Sequence, residues 1–242
     1  MPAIQTKHLS KQYGKITAVK NLNLEIQQGE LFSLLGINGA GKTTTIKMLT
    51  CLTAPTSGDA IINGYSVINE PNKVKHFISV SPQETAIAPN LTVKENLELI
   101  CRIHEFSKEK TLSKIAEVTQ QFSLTDILYR KAGKLSGGNQ RRVSIAMALI
   151  CEPEILFLDE PTLGLDVIAR HELWELIRLL KGKVTVVLTT HYMEEAEALS
   201  DNIGIMKDGV MLAIGSAKQL KERTNTKDFE AAFISIIKEA SV

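Results

Sequence analysis

Eight consecutive residues, Gly36-Ile37-Asn38-Gly39-Ala40-Gly41-Lys42-Thr43, place three glycines, a lysine and a hydroxyl at the spacing G-x-x-x-x-G-K-[ST]. Glycine tolerates backbone angles that let a loop curl until successive N–H groups point inward, and such a nest of donors binds phosphate oxygens. A helix starting at Lys42 would add its own unpaired N–H groups and the positive end of its dipole. In that setting Lys42 reaches the outer phosphates and the Thr43 hydroxyl ligates Mg²⁺, with Thr44 directly behind it. Alone, the run licenses only the binding of a nucleoside triphosphate.

A second constellation lies far along the chain. Ile155-Leu156-Phe157-Leu158 is followed by Asp159 and Glu160, four apolar residues ending in two carboxylates. A buried strand stopping there delivers both acids to the crevice where α/β sheets bind ligands. Asp159 is expected to orient hydrated Mg²⁺ and Glu160 to polarise an attacking water. Read by themselves, adjacent acids at a strand end are as readily solvated. Beside a phosphate loop they complete a hydrolytic set.

A third feature is Leu135-Ser136-Gly137-Gly138-Asn139-Gln140, ahead of a helical segment. A Ser hydroxyl and two glycines at a helix N-terminus make another anion site. At these residues the chain resembles the ATP-binding subunits of ABC transporters, whose signature is usually LSGGQ, and the likeness runs over essentially the whole sequence. Asn139 departs at the fifth position, with Gln140 directly after it. The resemblance implies ATP and Mg²⁺ as ligands and hydrolysis to ADP and phosphate. It implies a head-to-tail homodimer, in which Ser136, Gly137 and Gly138 of one subunit close over the γ-phosphate held by the other's residues 36–43. By the same resemblance Tyr13 stacks on adenine, Gln83 touches Mg²⁺ and water and couples to a membrane partner, and Asp166 of Gly164-Leu165-Asp166 communicates across the dimer. His191 matches the switch histidine, which contacts the γ-phosphate and holds the water in line. Residues 53–58 (TAPTSG), 164–170 (GLDVIAR) and 226–234 (TKDFEAAFI) look like the branch serving drug, sodium and polysaccharide exporters, whose ATP-binding subunits pair with a separate multi-span permease.

The elements that must position these residues are readable from hydropathy. Residues 31–35 form an apolar run that fits a strand buried on both faces, followed by the glycine loop and a helix from Lys42 to about Cys51. Leu22, Leu24 and Ile26 alternate with polar residues, as in a half-buried antiparallel strand. Residues 59–67 read as a hairpin turning at Asn63-Gly64, and residues 77–80 as a third apolar strand. From Leu91 to Ile150 the texture is helical, opening with a capping box at Thr92 and Glu95. Strands return at 155–158 and 184–190 around a helix with Leu173, Leu176, Ile177 and Leu180 on one face. A last hairpin, 203–214, turns at Asp208-Gly209. Residues 226–234 should be a helix whose Phe229 and Phe233 stack as a core stripe. The expectation is an α/β protein with a P-loop NTPase core and mixed sheet. Residues 1–90 and 151–242 make that core with an antiparallel β subdomain, and residues 91–150 make an inserted α-helical subdomain carrying the signature.

Composition bounds the alternatives. The 242 residues are 44% hydrophobic and 23% charged with net charge +1, so no global field recruits nucleic acid or anionic lipid. No apolar run reaches the roughly 18 residues of a membrane span, and the first ten residues lack a signal-peptide layout. With no span of its own, the chain is expected, by its resemblance to transporter subunits, to be peripheral, on the cytoplasmic face of a membrane. Cys51, Cys101 and Cys151 lack metal spacing and read as packing residues. His8, His76, His104 and His171 read as solvated. DNA-repair members of the same superfamily carry heptads or Cys clusters, and translation members carry two cassettes; neither feature occurs here.

Overall fold

The computed structural model describes residues 1–240, so the last two residues of the expected 151–242 segment lie outside the described region. Strands β1 (Ile4–Tyr13) and β2 (Ile16–Ile26) form an antiparallel hairpin. Strand β3 (Leu31–Gly36) is buried at every position and leads into helix α1 (Lys42–Leu49). Strands β4 (Ser57–Ile62) and β5 (Tyr65–Ser66) turn at Asn63 (φ 46°) and Gly64 (φ 87°), the pair of left-handed residues a tight hairpin needs. Helix α2 (Pro71–Phe77) runs directly into strand β6 (Ile78–Ser81).

Three helices follow, α3 (Val93–Ile103), α4 (Lys108–Gln121) and α5 (Gly137–Leu149), and α3 carries the expected Thr92–Glu95 capping box. The chain then alternates through β7 (Ile155–Asp159), α6 (Val167–Arg178), β8 (Thr185–Thr190), α7 (Met193–Leu199), β9 (Asn202–Lys207) and β10 (Val210–Gly215), and ends in α8 (Ala217–Thr224) and α9 (Phe229–Glu239).

Strands β2-β1-β4-β5 form an antiparallel sheet, and β10-β9-β3-β8-β7-β6 form a mixed one, parallel except for β10. Strand periodicity sorts the core. Phe32, Leu34, Ile155, Phe157 and Val187 face the antiparallel sheet and α1, whereas Leu31, Leu156, Leu158, Val186 and Leu188 face the helices. Side chains of α3, α4 and α5 belong to that second cluster, so the inserted helices share a core with the sheet. Phe229 and Phe233 are buried against α7, α8 and the β9–β10 hairpin, the core role expected of them. Among the described residues no helix is long and apolar enough to cross a membrane.

Some elements differ from the sequence reading. Tyr13 closes β1, a strand absent from the sequence reading. Strand β1 hid because its alternation slips: register shifts fall between Thr6 and Leu9, with His8 at φ 51°, and buried Thr6 satisfies its hydroxyl on the Leu22 carbonyl at 2.9 Å. The strand expected at 77–80 begins one residue later, since Phe77 ends α2. Helices α2, α7 and α8 are each only two turns long, too short for a clear apolar stripe.

Candidate active site

The C-terminal ends of β3, β6, β7 and β8 open on one edge of the mixed sheet, and each contributes a residue to a cleft of about 470 Å³. Asn38, Gly39, Ala40, Gly41, Lys42, Thr43, Thr44, Gln83, Glu160 and His191 line it, together with Ala18 and Leu163.

The loop before α1 is held from both sides. A Cβ on Gly36 would sit 2.4 Å from the Met206 carbonyl oxygen, and one on Gly41 (φ 101°) 2.4 Å from the Ala18 carbonyl oxygen. The β9–β10 turn fastens the loop, because Gly209 N donates to the Ala40 carbonyl at 3.1 Å while Lys20 N of β2 donates to the Gly209 carbonyl at 2.8 Å. Gly41 caps α1 with no side-chain acceptor, which leaves the first N–H groups of the helix for an anion.

Lys42 is buried and donates to the Gly36 carbonyl at 2.7 Å; its Nζ lies 3.6 Å from Glu160 Oε1. Burial lowers the ammonium's pKa, and Glu160 opposes that shift. Glu160 Oε2 lies 3.2 Å from His191 Nδ1, although that nitrogen closes no aligned hydrogen bond. The backbone N–H of Glu160 donates to the Thr189 hydroxyl at 3.0 Å with φ at 46°, a left-handed setting that β7 must impose on a non-glycine residue.

Asp159, the last residue of β7, accepts hydrogen bonds from Thr43 Oγ1 at 3.2 Å and Thr189 Oγ1 at 2.5 Å. The paired oxygens of Asp159 and Thr43 fit Mg²⁺, a hard ion that keeps waters and takes few protein ligands. Of the three expected metal residues, Thr43 and Gln83 line the cleft, and Asp159 reaches it through its hydrogen bond with Thr43.

The remaining expected residues lie apart from this cleft. Ser136 caps α5, accepting from Asn139 N at 3.4 Å, and Gly137 and Gly138 open that helix. A Cβ on Gly138 would lie 3.0 Å from Ala169 Cβ, so the signature loop rests on the start of α6, whose cap is Asp166 (Ala169 N to Oδ1, 2.9 Å). Ser136, Gly137 and Asp166 are exposed. Tyr13 sits half-exposed at the end of the β1–β2 hairpin with the Lys11 ammonium 5.0 Å from its ring centroid. His8, His76, His104 and His171 are exposed as expected. Burial pushes all three thiols up, Cys151 to about 11, as suits packing residues.

Two supporting residues escaped the sequence reading. Thr189 braces both carboxylate residues. Arg141 of α5 is buried and donates to the carbonyls of Pro82 and Gln83 at 2.6 and 2.5 Å, fixing the backbone that presents Gln83. Its place five residues after Ser136 was the one available signal.

A family model described as ABC transporter matches residues 19–163. The chain is 42% identical over 224 residues to the doxorubicin resistance ATP-binding protein DrrA of Mycobacterium tuberculosis, covering 91% of this chain and 68% of that one. It is 39% identical over 238 residues to the linearmycin resistance ATP-binding protein LnrL of Bacillus subtilis, covering 98% and 76%. A solved ATP-binding subunit of an ABC transporter superposes with a TM-score of 0.86 at 27% identity, over 97% of this chain and 99% of that one. A dimeric ATP-binding cassette in a post-hydrolysis state with ADP and Pi superposes with a TM-score of 0.78 at 32% identity, over 88% and 98%.

Proposed function

Because this chain belongs to the ABC transporter family, as an ATP-binding and ATP-hydrolysing subunit related to drug-resistance exporters, we propose how its residues divide that work. The loop from Gly36 to Thr43, with Thr44, cradles the triphosphate, and Lys42 neutralises its outer oxygens. Tyr13 stacks on the adenine from the hairpin end. Thr43, Asp159 and Gln83 hold Mg²⁺, which supplies charge neutralisation on the phosphate oxygens when bound. Glu160 polarises the water and His191 keeps it in line. The observation that carries this reading is Glu160, standing between Lys42 and His191 at 3.6 and 3.2 Å.

ABC ATP-binding subunits pair with a membrane permease and can dimerise. For this chain we take the pairing to be a head-to-tail homodimer on a separate multi-span permease, at the cytoplasmic face, driving export. The support is the exposure of Ser136, Gly137 and Asp166 away from the cleft they would complete. The inserted helices then transmit closure to the permease.

The test is phosphate release by the purified chain with ATP and Mg²⁺ over a range of protein concentrations. A rate per subunit that climbs with concentration is the expected result, since two copies build each site. A rate per subunit that stays constant at every dilution overturns the shared site, and no release at all overturns the ATPase reading.

A further inference from the structure

Glu195 lies on α7, four residues beyond His191, and is completely buried. Its Oε1 accepts a hydrogen bond from Trp174 Nε1 of α6 at 3.1 Å. The hydroxyls of Thr190 and Thr162 stand within its reach, yet neither Oε2 nor Thr162 Oγ1 closes an aligned hydrogen bond. The charged groups that act on it are Arg170 and Arg141, and neither pairs with it. A carboxyl buried this way is costly unless its neighbours satisfy it with hydrogen bonds.

Those neighbours are the two segments that carry the reacting groups. Thr190 is the last residue of β8, and its hydroxyl accepts from Tyr192 N at 2.9 Å, bracketing His191. Thr162 follows Glu160 by two residues, and its carbonyl accepts from Leu165 N at 3.1 Å, at the head of the Gly164-Leu165-Asp166 loop. Trp174 anchors the helix that this loop enters. One side chain therefore meets the histidine segment, the glutamate segment and the helix capped by Asp166.

Building on the hydrolytic reading above, we infer that Glu195 is a positioning residue that holds the His191 segment in register with the Glu160 segment, working through Thr190, Thr162 and Trp174. Oε1 accepts from the indole; burial raises the carboxyl's pKa, and with a proton on Oε2 that oxygen would donate to a threonine oxygen. Glutamine reproduces that division of acceptor and donor in the same shape, and alanine removes both.

The experiment compares Glu195→Gln, Glu195→Ala and Thr162→Val with the parent for kcat, KM for ATP, melting temperature and emission of Trp174, the only tryptophan. Glu195→Gln is expected to stay within about twofold of the parental kcat and to keep the emission maximum. Glu195→Ala should lose about tenfold or more in kcat with KM changed by less than about threefold, because geometry at the reacting centre fails and phosphate binding survives. Its emission maximum should shift as the indole loses its acceptor. Should the alanine variant melt too low to assay, Thr162→Val decides, with the same loss confined to kcat expected. Parental kcat in Glu195→Ala or Thr162→Val overturns the inference, and so does a glutamine variant as damaged as the alanine one. A parent that releases no phosphate instead overturns the hydrolytic reading beneath it.

Discussion

Lys42 Nζ rests 3.6 Å from Glu160 Oε1 and also donates to the Gly36 carbonyl at 2.7 Å, so the cation of the phosphate loop is held by the carboxylate across the cleft. An incoming phosphate competes with Glu160 for that ammonium. Loading the site would thus release the carboxylate toward His191 and the water.

Neutralising that carboxylate separates binding from chemistry. We expect Glu160→Gln to retain ATP and to lower hydrolysis about a hundredfold or more, the usual weight of a positioned base. It should also accumulate as an ATP-bound dimer in size-exclusion chromatography. A monomer without nucleotide would sink the sandwich mechanism.

The two anion sites should fail differently. Lys42→Ala removes the ammonium in the cleft and should abolish ATP binding by the monomer. Ser136→Ala, outside the cleft, should spare monomer binding and cripple hydrolysis in the dimer. Titrating a fluorescent ATP analogue alongside phosphate release checks both. Equal loss of monomer binding in the two variants counts against a site shared between copies.

Arg141 braces Gln83 from the signature helix. Arg141→Met leaves the carbonyls of Pro82 and Gln83 without their donors, a penalty of about 1–3 kcal/mol for a buried group. Melting should fall by several degrees and kcat should fall with it, and Arg141→Lys should recover part of both. Unchanged kcat in the methionine variant would remove Arg141 from the account of Gln83.

Stability should carry a pH signature from Glu195. Burial raises its folded pKa above the ordinary 4.5. The native state therefore holds a proton that the unfolded chain releases, and this stabilisation is complete below the unfolded value and lost as pH rises through the folded one. Glu195→Gln cannot titrate. Its melting temperature should gain on the parent's as pH climbs above 4.5. A gap that stays level as pH rises contradicts the raised carboxyl pKa.

What the sequence made legible depended on how local the cause was. The run from Leu31 through Thr43 reads directly, because a doubly buried strand, a glycine loop and a helix start sit in one continuous segment. The Thr92–Glu95 box and the Asn63-Gly64 turn are likewise signals within a few residues. Strand β1 did not read, since its bulge breaks the period and a buried threonine imitates a surface residue. Arg141 and Glu195 did not read either. The first acts on backbone carbonyls 58 and 59 residues away, and the second meets Trp174 21 residues away. No spacing rule along the chain records such contacts.

Glu160 keeps its backbone at φ 46°, a conformation that disfavours every residue with a Cβ and leaves glycine at ease. Among the described residues nine other non-glycine positions share a positive φ, but Glu160 is the one that lies between Lys42 and His191. Replacing it with glycine trades about 1 kcal/mol of backbone strain against a buried ammonium left without its carboxylate. Turnover would be lost whichever way stability moves, so a screen for heat tolerance alone would not tell a working motor from a silent one.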